Sequence, residues 1–285
     1  MSSFEYAAPK SIEEAVAILS GGSEARPLAG GQTMLVGRNR ERLKGTVLVD
    51  LGRISSLSGI GRQDGAVRIG ATATLNAIAS SELLRKELPA LSEAAAAIGD
   101  AQLRNRGTIG GNIAEGDPEY DLPAVLLALD ASIELAGSNG RRKVSARDFF
   151  KERHPHSAES DELIVSILQP GAQPNSGMAY VRLKHPARLT PVCGVAAVLT
   201  VERGRVLRAR IGLTGATDHP TRLETVESAL LNGTVTDEQF SSVAAKSDGG
   251  ISFRSDAFAS ADYRRHLTRV LTARALKQAL SRINA

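Results

Sequence analysis

Tryptophan is absent from the 285-residue sequence, aromatic residues make up only 4% of it, and cysteine occurs once. The hydrophobic core must therefore be largely aliphatic, and material is sufficient because 42% of the residues are hydrophobic. A single cysteine excludes an intrachain disulfide and any iron–sulfur cluster held by four thiolates of this chain. Cys193 lies in the apolar run PVCGVAAVL, so we expect it to be a small buried hydrophobic residue.

Several classes of function lack their usual sequence signals. No stretch is apolar and long enough to span a bilayer, and the N-terminus has no apolar signal region, which favours a soluble cytoplasmic protein. The net charge is only +4, and no basic stripe is interleaved with aromatic residues, so nucleic-acid binding is not predicted. The most basic run, RNRERLK (Arg38 to Lys44), is interpreted as a solvated face or loop.

Common catalytic arrangements are missing as well. No serine stands in a GxSxG elbow, and nothing else in the sequence indicates hydrolysis. His154 and His156 form an HPH pair, but no third ligand follows at a convincing spacing. We therefore interpret this pair as part of a polar loop rather than a metal site.

The order of apolar patterns predicts an α+β fold in which the mixture of predicted helices and strands changes near residue 170. Short strands and helices mix over the first part, with a helix from Ser11 to Leu19, strands at Gly45 to Leu51 and Ala66 to Ala71, and a helix from Leu88 to Ile98. Four strand-like runs follow, LIVSILQP, GMAYVRLK, VCGVAAVLTVE and VLRARIGLTGA, which suggest an antiparallel sheet. The tail is helical, and its last helix has apolar residues at helical spacing with arginines on the other face.

Two loops with paired glycines are the strongest candidates for a binding site. They are LAGGQTML (Leu28 to Leu35) and TIGGNI (Thr108 to Ile113), and each has a hydroxyl and a side-chain amide nearby. Paired glycines let the backbone approach a ligand closely, and successive N–H groups can then hold an anion such as a diphosphate. A turn or bulge is the more frequent use of such a pair, and neither loop fits the GxGxxG or GxxxxGK[ST] motif, so both interpretations stay open.

Asp121 and Pro123 open a helix after the second loop. An acidic residue in the first turn of a helix is favourable for the helix dipole, which would explain Asp121 without a ligand. The alternative is a carboxylate that accepts hydrogen bonds from a ribose or a base amine. The residues alone do not decide between the two.

These residues together resemble the FAD-binding medium subunit of molybdenum hydroxylases, which is related to the flavin domain of xanthine dehydrogenase. The resemblance covers almost the whole chain. It runs through the segments FEYAAPKSIEEAVAIL, RPLAGGQTML, VLVDLGRI, VRIGATATLNAI, LRNRGTIGGNIAEGDPEYDLPAVLLALDA, DELIVSILQP, YVRLKHPAR and SADYRRHLTRVLTARAL.

The resemblance implies a fold of the vanillyl-alcohol-oxidase (PCMH) type. Residues 1–170 would form an FAD-binding domain of two subdomains, split near residues 55–60. Residues 175–285 would form a C-terminal domain with a three-stranded antiparallel sheet and helices.

The resemblance also implies a set of FAD-binding residues. The two glycine loops would bracket the diphosphate, and Asp121 would bind the adenosine side. Ile164 and Lys184 would border the flavin ring, where a lysine can stabilise negative charge, and Ile98 would be another lining residue. No side chain would act as a catalytic acid, base or nucleophile, and no metal would bind. The implied cofactor-binding residues are Leu28, Ala29, Gly30, Gly31, Gln32, Thr33, Ile98, Thr108, Ile109, Gly110, Gly111, Asn112, Asp121, Ile164 and Lys184.

The implied function is electron transfer within a complex. A large partner with molybdopterin would hydroxylate the substrate, and a small partner would pass electrons through [2Fe–2S] centres to FAD, which would reduce NAD, a quinone, a carrier or O₂. A dimer of such heterotrimers is expected. The carbon monoxide dehydrogenase branch has a histidine where Gln32 stands and an aromatic residue near Thr190, so the sequence favours another aerobic hydroxylase, acting on an N-heterocycle or an aldehyde. A stand-alone flavoenzyme of the same fold and an assembly protein that has lost FAD are the alternatives.

Overall fold

The computed structural model describes residues 4–22, 24–36, 43–151, 159–186 and 188–283. Strands β1 to β12 span Glu5–Ala7, Ala25–Leu28, Val47–Asp50, Ile60–Gln63, Ala66–Gly70, Ser132–Gly137, Gly140–Ser145, Leu163–Pro170, Ser176–Lys184, Pro191–Glu202, Arg205–Thr214 and Thr221–Arg222. Helices α1 to α11 span Ile12–Leu19, Leu75–Ser80, Glu82–Glu87, Pro89–Ala97, Ala101–Arg106, Ile109–Glu115, Asp121–Leu129, Ala146–Phe149, Glu224–Leu230, Asp237–Ala244 and Ala261–Ser281.

The strands form separate sheets flanked by helices. A small parallel sheet has the order β1-β3-β2, a five-stranded antiparallel sheet has the order β4-β5-β8-β6-β7, and an antiparallel sheet near the C-terminus has the order β12-β11-β10-β9. This arrangement confirms the predicted α+β class. The HPH pair and most of the RNRERLK run lie outside the described residues.

The predicted helix at the N-terminus begins with a side-chain cap. Ser11 accepts a hydrogen bond from the backbone N–H of Glu14 at 3.1 Å, which satisfies one of the free amides of the first turn of α1. The buried face of α1, including Ala15 and Leu19, packs in the same core cluster as Val49 of β3. This packing holds β2 and β3, and therefore the start of the first glycine loop, at a fixed position.

The prediction that four successive strands form one sheet is wrong for the first of them. LIVSILQP forms β8, which pairs with β5 and β6 in the five-stranded sheet, whereas the other three runs form β9, β10 and β11. Both faces of β8 are buried: Leu163 and Val165 lie in one core cluster, Ile164 and Ile167 in another. The pairing of β8 with β6 shifts register between Ile164 and Ser166, which interrupts the simple alternation of its side chains. A strand buried on both faces is a continuous apolar run, and such a run does not show which sheet it joins.

The C-terminal sheet has three long strands, and the two-residue strand β12 adds a fourth at its edge. The sheet packs on α7 so closely that a Cβ atom at Gly212 of β11 would lie 1.9 Å from the carbonyl oxygen of Ala124. The regions before and after residue 170 therefore share a tightly packed contact.

The prediction that the arginines of the last helix all lie on its solvent face is wrong for Arg264. Its side chain is only 1% exposed, in the core of the C-terminal region. Burial is tolerated because its guanidinium donates to Asp256 Oδ2 at 2.8 Å and to the carbonyl oxygens of Arg254 and Ala259 at 3.2 and 3.1 Å.

Candidate cofactor site

Two adjoining cavities lie beside the glycine loops. The larger has a volume of about 470 Å³ and the smaller about 280 Å³. Pro27, Ala29, Gly111 and Ala114 line both cavities, so the two meet at this group of residues, which we call the neck. Volumes of this size suit a small-molecule ligand, and the pair forms an elongated site.

The first glycine loop offers free backbone donors at the larger cavity. No described residue accepts a hydrogen bond from the N–H groups of Gly30, Gly31 or Gln32. Gly31 has a φ of +70°, in the left-handed region that favours glycine. Three consecutive residues of the cavity wall therefore have amides available to an anion, and the predicted role of this loop in binding a diphosphate stays a prediction.

Close backbone contacts hold the first loop against the segment that leads into the second. A Cβ atom at Gly30 would lie 2.0 Å from the carbonyl oxygen of Arg106, so only glycine fits there. Thr33 Oγ1 lies 3.2 Å from the hydroxyl of Tyr120, which precedes α7. Both glycine loops therefore line the larger cavity.

The backbone N–H groups of the second glycine loop are not free to bind a ligand, contrary to the prediction. It is the start of α6, and the N–H groups of Ile109 and Gly110 donate to the carbonyl oxygens of Ala73 and Ala71 at 3.1 and 2.8 Å. The N–H groups of Gly111 and Asn112 donate to the side-chain and backbone oxygens of Thr108, at 3.1 and 3.0 Å. The free donors therefore belong to the first loop alone, because capping and packing of α6 consume those of the second.

The two glycines of α6 have different roles. A Cβ atom at Gly110 would lie 2.7 Å from the carbonyl oxygen of Ala71, so Gly110 is required for packing. A Cβ atom at Gly111 would meet only Thr108 Oγ1, at 3.1 Å, and Gly111 lines both cavities. Gly111 therefore borders both cavities without a side chain that would enter either of them.

Asn112 presents an unsatisfied acceptor beside the larger cavity. Its side-chain Oδ1 is buried and has no hydrogen-bond partner among the described residues, although the residue lines the cavity. Buried polar atoms are normally hydrogen-bonded, so a ligand hydroxyl or N–H group would complete this site.

Asp121 lines the larger cavity, but its carboxylate already has protein partners. The residue is 2% exposed; Oδ1 accepts from the Tyr180 hydroxyl at 2.6 Å and from Arg182 Nη1 at 2.9 Å, and Oδ2 lies 3.1 Å from the same nitrogen. Burial raises the pKa of this carboxyl group, and the Arg182 charge and the hydrogen bonds oppose that effect. The predicted contact between Asp121 and adenosine stays a prediction.

The remaining predicted residues are not all in one place. Ile98 lines the larger cavity and Ile164 the smaller one. Lys184 is exposed at the end of β9 and is not among the described residues that line either cavity. The structure therefore brings Ile98 together with both glycine loops and separates Ile164 from Ile98.

Sequence patterns missed several residues of the site. Leu189 lines the larger cavity, and Leu51 and Phe149 line the smaller one. Glu119, 4% exposed, binds Arg188 and Thr190, although nothing local marks it as buried. Its partners lie about 70 residues away in the chain, so only the tertiary fold identifies it.

The described part of the chain contains no group of three or more His, Cys, Asp and Glu side chains that could hold a metal ion. In the same residues, none of the helices has the length and apolar character needed to cross a membrane.

Comparison with known proteins identifies relatives along the whole chain. Residues 2–172 match the family model described as the FAD binding domain in molybdopterin dehydrogenase, and residues 179–279 match the CO dehydrogenase flavoprotein C-terminal domain. The carbon monoxide dehydrogenase medium chain of Hydrogenophaga pseudoflava is 38% identical over 283 residues, covering 98% of each chain. The 6-hydroxypseudooxynicotine dehydrogenase complex subunit alpha of Paenarthrobacter nicotinovorans is 33% identical and covers 98% of this chain and 95% of its own.

A solved structure agrees with these matches. Carbon monoxide dehydrogenase from Hydrogenophaga pseudoflava, in a form that lacks the Mo-pyranopterin moiety of the molybdenum cofactor, superposes with a TM-score of 0.93 at 38% identity, over 98% of this chain and 97% of that one. The chain therefore belongs to the family of FAD-binding medium subunits of molybdenum hydroxylases, which are subunits of multi-chain oxidoreductases.

Proposed function

We propose that this chain, as an FAD-binding medium subunit, takes electrons from [2Fe–2S] centres of a small subunit and passes them through FAD to an external acceptor. The acceptor class comprises NAD, a quinone, a carrier or O₂, and a large subunit with molybdopterin would hydroxylate the substrate. Residues 1–170 would be the FAD-binding domain, with its two subdomains divided near residues 55–60, and residues 175–285 the C-terminal domain.

The observation that carries this proposal is the elongated pair of cavities with an anion-binding loop beside its neck. The free N–H groups of Gly30, Gly31 and Gln32 would hold the diphosphate of FAD. Gly111 would let the diphosphate pass between the cavities, because it has no side chain to fill the neck.

We place the two ends of FAD by the residues that line the two cavities. The larger cavity has apolar walls that include Ile98 and Leu189, and it also exposes the unsatisfied acceptor of Asn112, which suits the flavin ring and its polyol chain. The smaller cavity, lined by Leu51 and Phe149 and also by Glu159, Ser160 and Glu162, would take the adenine. This placement would put Ile164 at the adenine end and Asp121 at the flavin end, so for these two residues it is an alternative to the roles that the resemblance implies.

The redox chemistry belongs to the cofactor, which when bound exchanges electrons one at a time or in pairs. The side chains of this chain bind, orient and shield it, and none needs to act as acid, base or nucleophile. We retain Lys184 as a residue that would stabilise negative charge at the flavin ring, because β9 leads directly into the segment that contains Leu189 and Thr190.

Partners and substrate follow from family membership rather than from this chain. The relatives are named as a medium chain and as one subunit of a complex, which supports a heterotrimer, here proposed to form dimers in the cytoplasm. Those relatives belong to dehydrogenases named for carbon monoxide and for 6-hydroxypseudooxynicotine, so subunits of similar sequence occur in enzymes named for different substrates. Gln32 and Thr190 favour a substrate of the N-heterocycle or aldehyde class over carbon monoxide.

Purification from cells that express the whole complex tests this function. We expect a yellow preparation with one FAD per chain, two further subunits, and iron and molybdenum in the same fraction. A chain that purifies alone and oxidises a substrate by itself would instead be a stand-alone flavoenzyme. A colourless chain that does not take up added FAD would contradict the cofactor assignment and favour an assembly protein.

A further inference from the structure

Glu119 lies at the centre of a buried ion-pair network beside the larger cavity. Its Oε1 accepts from Arg188 Nη1 at 3.0 Å and lies 3.3 Å from Arg254 Nη2. Its Oε2 lies 2.6 Å from Arg188 Nη2 and accepts from the Thr190 hydroxyl at 3.0 Å. Two guanidinium groups and a hydroxyl therefore share one carboxylate.

The backbone around Glu119 is fixed independently of these side-chain bonds. The N–H of Glu119 donates to Asp117 Oδ1 at 2.8 Å. Thr214 Oγ1 lies 2.7 Å from the carbonyl oxygens of both Pro118 and Tyr120 and donates its one proton to one of them at a time, and Pro118 also accepts from the N–H of Gly215 at 2.7 Å. The carboxylate thus projects from a rigid support at the end of β11.

The partners of Glu119 flank a residue that covers the cavity. Leu189 stands between Arg188 and Thr190, lines the larger cavity and is still 44% exposed. An exposed apolar side chain has little packing to hold it in place, so its position depends on the anchored neighbours on either side. Arg188 is further oriented by Phe258, whose ring centroid lies 4.4 Å from the guanidinium carbon.

The network continues into the C-terminal region. Arg254 Nη2 lies 2.9 Å from Asp256 Oδ2, and that oxygen accepts from the buried Arg264 of α11 at 2.8 Å. The Glu119 carboxylate is therefore linked through ion pairs to the long C-terminal helix.

We propose that Glu119 is a positioning residue for the flavin end of the site: it holds the Arg188–Thr190 segment of the C-terminal domain over the larger cavity and connects that segment to the FAD-binding domain. The proposal rests on the placement of the flavin ring in this cavity. Glu119 itself is not among the residues that line the cavity, so it acts through Leu189 and Thr190. Loss of its charge should expose the bound ring to solvent while the diphosphate site stays intact.

The test compares three variants of the full chain, with any subunits that co-purify, after saturation with FAD. Glu119→Gln removes the negative charge, and Arg188→Met removes one guanidinium partner at a position outside the cavity lining. Glu227→Gln is the matched control, because Glu227 also accepts two hydrogen bonds from a buried arginine, Arg222, but lines neither cavity. Iodide quenching of bound-flavin fluorescence measures exposure of the ring, and the Kd for FAD measures binding.

Glu119→Gln and Arg188→Met each remove a charge-assisted hydrogen bond. In both variants we expect the iodide quenching constant to rise about threefold or more and the Kd for FAD to rise by up to about tenfold. The control should match the wild-type chain. Wild-type quenching in both variants would overturn the proposal, as would an equal increase in the control, which would indicate general loosening. If Glu119→Gln does not fold, Arg188→Met decides. A wild-type chain that takes up no FAD would contradict the proposed function itself.

Discussion

Asp121 of α7 and Arg182 of β9 form a buried ion pair, with Arg182 Nη1 2.9 and 3.1 Å from the two carboxylate oxygens. The same arginine donates to the backbone oxygen of Ala97, next to Ile98 in the cavity wall. One side chain of the C-terminal sheet therefore joins two walls of the larger cavity. The cavity needs that sheet, although most of its lining comes from the N-terminal half of the chain.

Removing Arg182 should destabilise the chain strongly. In Arg182→Met the Asp121 carboxylate would lose its charged partner in a buried position, which typically costs about 3–5 kcal/mol of unfolding free energy. The double variant Asp121→Asn with Arg182→Met should recover much of this loss, because no buried charge is left unpaired. Urea unfolding followed by circular dichroism measures both. A single variant as stable as the wild-type chain would show that the pair does not contribute to stability.

Substitutions at the two glycines of α6 should separate folding from cofactor binding. Gly110→Ala should lose about 1–3 kcal/mol of stability, because its new methyl group would overlap Ala71. Gly111→Ala should unfold at nearly the wild-type temperature but bind FAD about tenfold or more weakly, because its methyl group would narrow the neck. Thermal unfolding without FAD and equilibrium titration with FAD distinguish the two. Equal FAD affinity in Gly111→Ala and the wild-type chain would place the diphosphate elsewhere.

Asn112→Ala should weaken FAD binding without weakening the fold. The unpaired Oδ1 contributes nothing to the described structure, and its removal should leave the thermal midpoint of the FAD-free chain unchanged or raise it. Loss of one hydrogen bond to the ligand should reduce the affinity by about three- to tenfold. The rise in unfolding temperature on addition of FAD, which follows the ratio of ligand concentration to Kd, provides the measurement. A large drop in the midpoint of the FAD-free chain would show that Asn112 has a structural partner.

Local sequence patterns predicted where helices and strands lie, but they did not predict which elements pack or pair with each other. The cap at Ser11 and the strands near Val47 and Ala66 follow from nearby residues, and the structure has them close to the predicted bounds. The sheet that β8 joins depends on which strands meet both of its buried faces, and no local period specifies that choice.

In the binding site too, local sequence patterns identified segments but not the contacts that those segments make. Two glycine loops could be identified from composition, but the structure alone shows that α6 uses its own N–H groups for packing and capping. The burial of Glu119 and Arg264 depends on ion-pair partners brought together by folding, so no local pattern indicates that either residue is buried.

The thiol of Cys193 should be unreactive in the folded chain. Burial raises the pKa of its thiol to about 12, although a contact with Thr268 and the charge of Arg264 oppose this effect. The thiolate is the reactive form, so labelling by Ellman's reagent at pH 8 should be negligible until the protein unfolds. The control is the same reaction in denaturant, which should release one equivalent, because the chain has one cysteine. Rapid labelling under native conditions would show that the C-terminal core opens readily.

Acid should weaken the C-terminal region through Asp256. Burial alone would raise the pKa of this carboxyl group, but hydrogen bonds from Arg264 and from the N–H groups of Phe258 and Ala259 lower it to about 2. The pKa of Asp256 is lower in the folded than in the unfolded chain, so ionisation of this carboxyl group stabilises the fold. The contribution to the free energy of unfolding is about 2 kcal/mol; it is complete above a pH of about 4 and disappears as the pH falls towards 2.

Asp256→Asn should therefore be less stable than the wild-type chain at pH 7, and the difference should shrink between pH 4 and pH 2, where the wild-type chain loses the same interaction. Urea unfolding at a series of pH values measures the difference. Asp237→Asn is the control, because its ion pair with Lys277 is exposed and should contribute little at any pH. If the difference between Asp256→Asn and the wild-type chain stays constant down to pH 2, the Asp256 carboxylate does not stabilise the fold through its charge, and its ion pairs with Arg254 and Arg264 do not depend on electrostatic attraction.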